Sequence, residues 1–205
     1  MPKLGMAPIR RKQLVDAAID VIHELGFANA TVARIARRAG VSSGIVHHYF
    51  ADKDELLFAT MRTLLADLRR DTVERQRKAR SPEERVEAVI DASFGEQQFD
   101  ERVFSAWLAL YGNARQSDRL KRILTLYHRR LKANLMFDLV KLTGRAHADE
   151  LAEAIGAIID GLWLRYALTG KPDRPEQPRS IARNYFHAAL ASSSTGRAGS
   201  LRVAS

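Results

Sequence analysis

Apolar positions recur along this chain at the three- and four-residue spacing of α-helices almost from end to end, and no stretch alternates as a strand would. From Ile9 to Leu25 the residues Leu14, Ala18, Val21, Ile22 and Leu25 share one face, and Gly26 is placed to end that helix. Thr31 is a candidate cap for a second helix, whose apolar stripe is Val32, Ile35, Ala36 and Ala39 and which Gly40 stops. Ser42 is the candidate cap of a third short helix carrying Ile45, Val46, Tyr49 and Phe50, with Ile45, Val46 and Phe50 expected in the core. Asp52 followed by Glu55 reads as a capping box for a long fourth helix reaching about Lys78.

Further helices are expected near 82–95, with Pro82 in a first turn, and near 100–113, 117–142 and 147–169. Gly170 to Pro178 holds three prolines and reads as a loop. A last helix over about 179–191 follows from the spacing of Ile181, Tyr185, Ala188 and Ala189, and the Ser/Gly/Ala-rich 192–205 reads as a disordered tail. The fold class is all-α. The expected division is a helix-turn-helix domain over 1–51 (with the start of the fourth helix, to about 68), a helical domain over 52–191 and the tail.

Composition narrows the setting. With 46% hydrophobic and 28% charged residues the chain is an ordinary globular sequence and not a disordered one. It has no cysteine, which excludes disulfides and thiolate metal sites. No apolar run reaches membrane-spanning length, and no apolar core follows the basic residues of the first turn, so the cytoplasm is the expected location. The net charge is +9, and residues 1–80, with 15 Lys/Arg against 9 Asp/Glu, hold two thirds of it. The excess therefore lies where the short helices are, and on charge alone it fits either attraction of a polyanion or a solvated basic surface.

The segment TVARIARRAGVSSGIVHHYF, residues 31–50, carries the chemistry. Two short helices joined at Gly40-Val41 are unstable alone and must pack on each other and on the first helix. The exposed side of the third is then free to enter a major groove. Ser42, Ser43 and Gly44 in its first turn let backbone approach DNA closely, and His47 lies one turn further along. Tyr49 brings a hydroxyl for phosphate, and Lys53 stands on the solvent side of the next helix start, where ammonium and helix end act together. Arg10, Arg11 and Lys12 are placed to grip the flanking backbone. His47 and His48, adjacent in a helix, point about 100° apart and make a poor metal pair. No HExxH, phosphate-cradling glycine loop or nucleophile elbow occurs, so no enzyme, cofactor or metal is expected.

These residues resemble the tetracycline-repressor family, TetR. Its reading motif is matched by Thr31, Ile35, Ala36, Gly40, Val41, Ser42, Gly44, Tyr49, Phe50 and Lys53, strongly over the first 60 or so residues and beyond them by helix layout. The stretches IRRKQL, IARRAGVSSGIVHHYFADKDELL, AWLALY and IDGLWLRYALTGKP are similar, more narrowly, to the choline-responsive branch that represses glycine betaine synthesis. The resemblance implies a repressor that binds double-stranded operator DNA as a homodimer and releases it when a small inducer binds. Choline is the implied inducer; the alternative is the same repressor type tuned to another small effector. Dimerisation has its own argument: LAEAIGAIIDGLWLRYAL is apolar on nearly every face, and pairing doubles the DNA site.

A trimethylammonium ligand needs aromatic faces and a carboxylate. Trp107 and Tyr111 stand i, i+4 on one expected helix. Asp160, Trp163 and Tyr166 form a stripe on another, and Phe94, Phe99 and Phe104 are near the first in sequence. Each aromatic also fits simple core packing. Asp160 must find a partner in so apolar a helix, with Arg165, a cation of a second subunit or the ligand as the candidates.

Overall fold

The computed structural model describes residues 6–170 and 176–202, with the side chains of the last helix as far as Ser193. Among the described residues it is all-helical: α1 Met6–Asn29, α2 Val32–Arg38, α3 Ser43–Tyr49, α4 Lys53–Lys78, α5 Pro82–Ser93, α6 Glu101–Asn113, α7 Asp118–Thr143, α8 Arg145–Thr169 and α9 Gln177–Arg202, with a 3-10 turn at Glu96–Phe99. Local chemistry sets the boundaries. Gly26 at φ 74° breaks α1, because only glycine takes that conformation cheaply. Ser81 accepts from the Glu84 N–H while Pro82 opens α5, and Asp100 accepts from Arg102 N–H at the start of α6. Asp52 accepts from Glu55 N–H at 2.6 Å, and Glu55 reaches back to the N–H of Ala51 at 2.7 Å, one residue before the expected capping-box position.

The last helix runs further than its composition predicts. Residues 192–202, expected as tail, continue α9; Ser192 and Ser193 return their hydroxyls to the carbonyls of Ala188 and Ala189, which satisfies them inside a helix. Most of the expected 170–178 loop, and 203–205, lie outside the described residues.

The chain divides into two compact units. The first joins the residues up to Asp67 with Gln97–Leu126, so α6 belongs with the helix-turn-helix. Its core is Leu14, Ala18, Val21 and Ile22 of α1, Ile35 and Ala36 of α2, Val46 and Phe50, with α1 also packing along α6. Ile45 departs from expectation at 37% exposed: in a two-turn helix Val46 and Phe50 take the inward side, leaving the neighbouring position outside. Leu25, in the final turn before Gly26, is exposed as well. The second unit, Leu68–Glu96 with the residues from Tyr127 on, buries Val86, Val89 and Ile90 of α5, Leu131, Leu135 and Leu139 of α7, Ile155 and Ile159 of α8, and Phe186 of α9.

Candidate functional site

The reading unit is built around a tight turn. Thr31 caps α2 by accepting from Arg34 N–H at 3.4 Å. Gly40, at φ 65°, lets the chain reverse so that Val41 N–H reaches the carbonyl of Ala36 at 3.0 Å. The Gln13 amide of α1 donates to the Ala39 carbonyl at 2.6 Å and pins the turn to the first helix. With Val46 buried beneath it, α3 turns Ser43, Gly44, His47 and His48 outward, and Ser42 is exposed at its N-cap. Ser42 makes no side-chain capping bond, so its hydroxyl stays available. A side chain at Gly44 would meet only the Ser42 hydroxyl, at 3.8 Å, so any demand for glycine comes from outside the chain. Tyr49 is half-buried, edge-on to His48, and its hydroxyl has no hydrogen-bond partner among the described residues.

The flanking cations are less free than the sequence implied. Arg10 donates to Gln13, and Lys12 pairs with Asp16. Arg11 lies over the Phe50 ring at 4.5 Å and donates to the Tyr49 carbonyl at 3.3 Å, which ties α1 to the end of α3. Lys53, expected on the solvent side, is half-buried: its Nζ donates to the carbonyls of Phe27 and Ala28 at 2.8 and 3.3 Å and sits 4.3 Å from the Phe27 ring centre. The break at Gly26 aims those carbonyls at the start of α4, and an ammonium is the group that meets them there. Two of its three N–H groups are thereby occupied.

The effector candidates fall in both units. In the first, Trp107 is buried and stacks on half-buried Tyr111, with ring centres 5.9 Å apart, while Phe99 meets Phe104 edge-on at 5.5 Å. In the second, Trp163 and Phe94 are buried and Tyr166 half-buried. Asp160 has found partners on α7: Tyr127 Oη donates to its Oδ1 at 2.8 Å, and His128 Nε2 lies 3.1 Å from its Oδ2. Arg165, considered from the sequence, is exposed and makes no pair with it among the described residues. Hydrogen bonding to Asp160 raises the His128 pKa against the opposing effect of burial.

Residues 14–60 match the family described as bacterial regulatory proteins, tetR family, and residues 82–191 match the BetI-type transcriptional repressor C-terminal family. The chain belongs to the TetR family, with a BetI-type C-terminal region. It is 48% identical over 182 residues to the HTH-type transcriptional regulator BetI of Brucella melitensis, covering 89% of this chain and 91% of that one. Among solved structures it is similar to a putative transcriptional regulator from Pseudomonas aeruginosa PAO1, with TM-score 0.80 and 26% identity over 90% of this chain and 91% of that one. It also shares its fold with a putative transcriptional regulator from Saccharomonospora viridis in complex with choline, with TM-score 0.75 and 18% identity over 88% of this chain and 96% of that one.

This TetR-family regulator is a DNA-binding transcriptional repressor and not an enzyme. Several side chains at these candidate sites were not singled out from the sequence. Arg37 on α2 is exposed and has no partner among the described residues, and the only signal for it is the basic run ARIARR. Arg38 reaches Glu24, holding that carboxyl below its usual range, and shares Asp20 with Arg102 of α6 at 3.5 and 3.2 Å. Tyr127 and His128 could have been suspected only as two adjacent polar aromatics in α7.

Proposed function

We propose that this repressor controls the genes converting choline to glycine betaine, and that choline releases it from its operator. The match of residues 82–191 to the BetI-type repressor region carries the reading, because that region lies outside the DNA reader. A same-fold regulator solved with choline supports a quaternary ammonium as the ligand class.

In this reading Ser42, Ser43, Gly44 and His47 face base edges, while Thr31, Tyr49, Arg10, Arg11 and Lys53 hold the phosphate backbone. Asp160 supplies the negative charge for the effector. Trp163 and Tyr166 on the same helix are its candidate aromatic contacts, and the stacked Trp107 and Tyr111 are a separate candidate pair within the first unit. No helix among the described residues is long and apolar enough to cross a membrane.

The repressor works as a homodimer through α8 and α9. Leu164 and Leu168 on α8, and Ile181 and Tyr185 on α9, are exposed at i, i+4 spacings on two helices that pack together. Leu164→Glu combined with Tyr185→Glu should yield monomer in sedimentation and lose tight operator binding; an unchanged dimer would place the interface elsewhere.

The deciding experiment is a mobility shift on the DNA upstream of the betaine genes, with and without choline, across a salt series. A salt-sensitive complex that choline dissolves is expected. No complex at low salt would overturn the reading. A complex indifferent to choline would leave a repressor tuned to another effector.

A further inference from the structure

Asp160 is the one carboxylate assigned to the effector, yet it already has an imidazole beside it, which is a cation when protonated. His128 reaches it from α7 with Nε2 at 3.1 Å from Oδ2, while Tyr127 occupies the other oxygen at 2.8 Å. The carboxylate keeps 29% of its side-chain surface exposed and the imidazole 47%, so the pair is open enough to be exchanged. We propose that His128 is a resident, displaceable cation in the effector site, so that binding a quaternary ammonium exchanges that ligand for the proton on His128. The inference rests on the effector reading of Asp160.

The charged surroundings make the exchange possible. Asp160 and Glu153, both on α8, are the acidic groups acting on His128, and both favour its protonated form. Glu153 also pairs with Lys132, one turn beyond His128 on α7, and Asp149 shares that lysine. Asp160 therefore contributes most to His128's charge, and removing its influence returns the imidazole towards its ordinary range.

A trimethylammonium group cannot donate a strong hydrogen bond, so it need not dislodge Tyr127. Its positive charge against Asp160 repels the imidazolium, and the proton leaves His128 for solvent. Charge balances: one fixed cation enters as one proton departs.

The linkage has a definite sign. Ligand-bound protein holds fewer protons than free protein, so affinity rises with pH. The rise is confined to the window between the lowered His128 pKa of the complex and the raised pKa of the free protein, and is at most about tenfold per pH unit.

The test is calorimetry of the full-length protein with choline, and with tetramethylammonium as the bare cation. It is run from pH 6 to 8 in pairs of buffers that differ in ionisation enthalpy. Wild-type protein should release up to one proton per chain, and its affinity should climb with pH. His128→Gln, which can still donate a hydrogen bond but carries no charge, should release none and bind with little pH dependence. Wild-type binding without proton release, or the same release in the folded His128→Gln variant, overturns the inference while leaving choline as the effector. Failure of wild-type protein to bind either cation at any pH overturns both this exchange and the effector reading beneath it.

Discussion

Arg85 of α5 donates through Nε to Oδ2 of Asp138 on α7 at 2.9 Å, and Asp138 has no exposed side-chain surface. Lys141, one turn along α7, takes the other oxygen at 2.7 Å, and both cations lean on the Phe137 ring. Removing Arg85 leaves the buried carboxylate with Lys141 as its remaining cation, and removing Asp138 leaves two cations facing each other. Arg85→Ala and Asp138→Ala should each lower stability by about 3–5 kcal/mol, whereas Lys141→Ala, at a half-exposed position, should cost under about 1 kcal/mol. Urea unfolding of the three variants checks the order. Equal losses would mean that the Arg85 bond has no special weight.

Ser43→Ala and Tyr49→Phe should both weaken operator binding without changing helix content. Tyr49→Phe should weaken all DNA sequences alike, since its free hydroxyl is assigned to phosphate. A changed base preference with unaltered non-specific affinity would contradict that assignment. Binding titrations on operator and random duplexes supply both numbers.

The helices were legible because their signals are local. Thr31, Asp52 and Gly26 act on backbone groups within a few residues, and the apolar spacing of α1 and α2 states which side is buried. The reading motif was legible for the same reason, being one turn between two short helices. What pairs with what was not. Lys53 meets carbonyls 25 and 26 residues upstream, and Asp160 meets residues a helix earlier, 33 positions away for Tyr127. Those contacts depend on how helices cross, which spacing along one helix does not encode. Ile45 shows the smaller limit: in so short a helix, apolar identity does not decide between two adjacent positions.

Lys53→Ala should now do two things. It should flatten the salt dependence of operator binding by about one unit of slope per half-site, as loss of a phosphate contact does. It should also destabilise the free protein by on the order of 1–2 kcal/mol, because two carbonyls lose a charged donor. Thermal melts and salt titrations separate the effects; an unchanged salt slope with reduced stability would assign Lys53 to the fold alone.

Asp100 caps α6 and carries a carboxyl held below the ordinary range, first by hydrogen bonding to the Arg102 side chain and then by its bonds to backbone N–H groups. A depressed folded pKa means stability present above the unfolded value and lost as pH falls through the folded one. Asp100→Ala should cost about 0.5–2 kcal/mol at neutral pH. Asp100→Asn, which keeps an acceptor, should fall below wild type at neutral pH and match it once the medium is more acidic than the folded pKa. Denaturation curves at neutral and strongly acidic pH test this, and a gap that persists in acid would show that charge is not its source.

The clasp of Arg11 on Phe50 and of Lys53 on Phe27 has a consequence for the thermodynamics of association. Long cationic side chains ordinarily lose rotamer freedom when they meet a phosphate, roughly 0.5–1.5 kcal/mol each. Here two of them are already fixed in the unbound protein by an aromatic face and by backbone carbonyls. That ordering cost is carried by folding, so under the phosphate contacts proposed for them these two residues meet DNA preorganised, and the entropy of association should be less unfavourable than a surface of freely rotating lysines and arginines would impose.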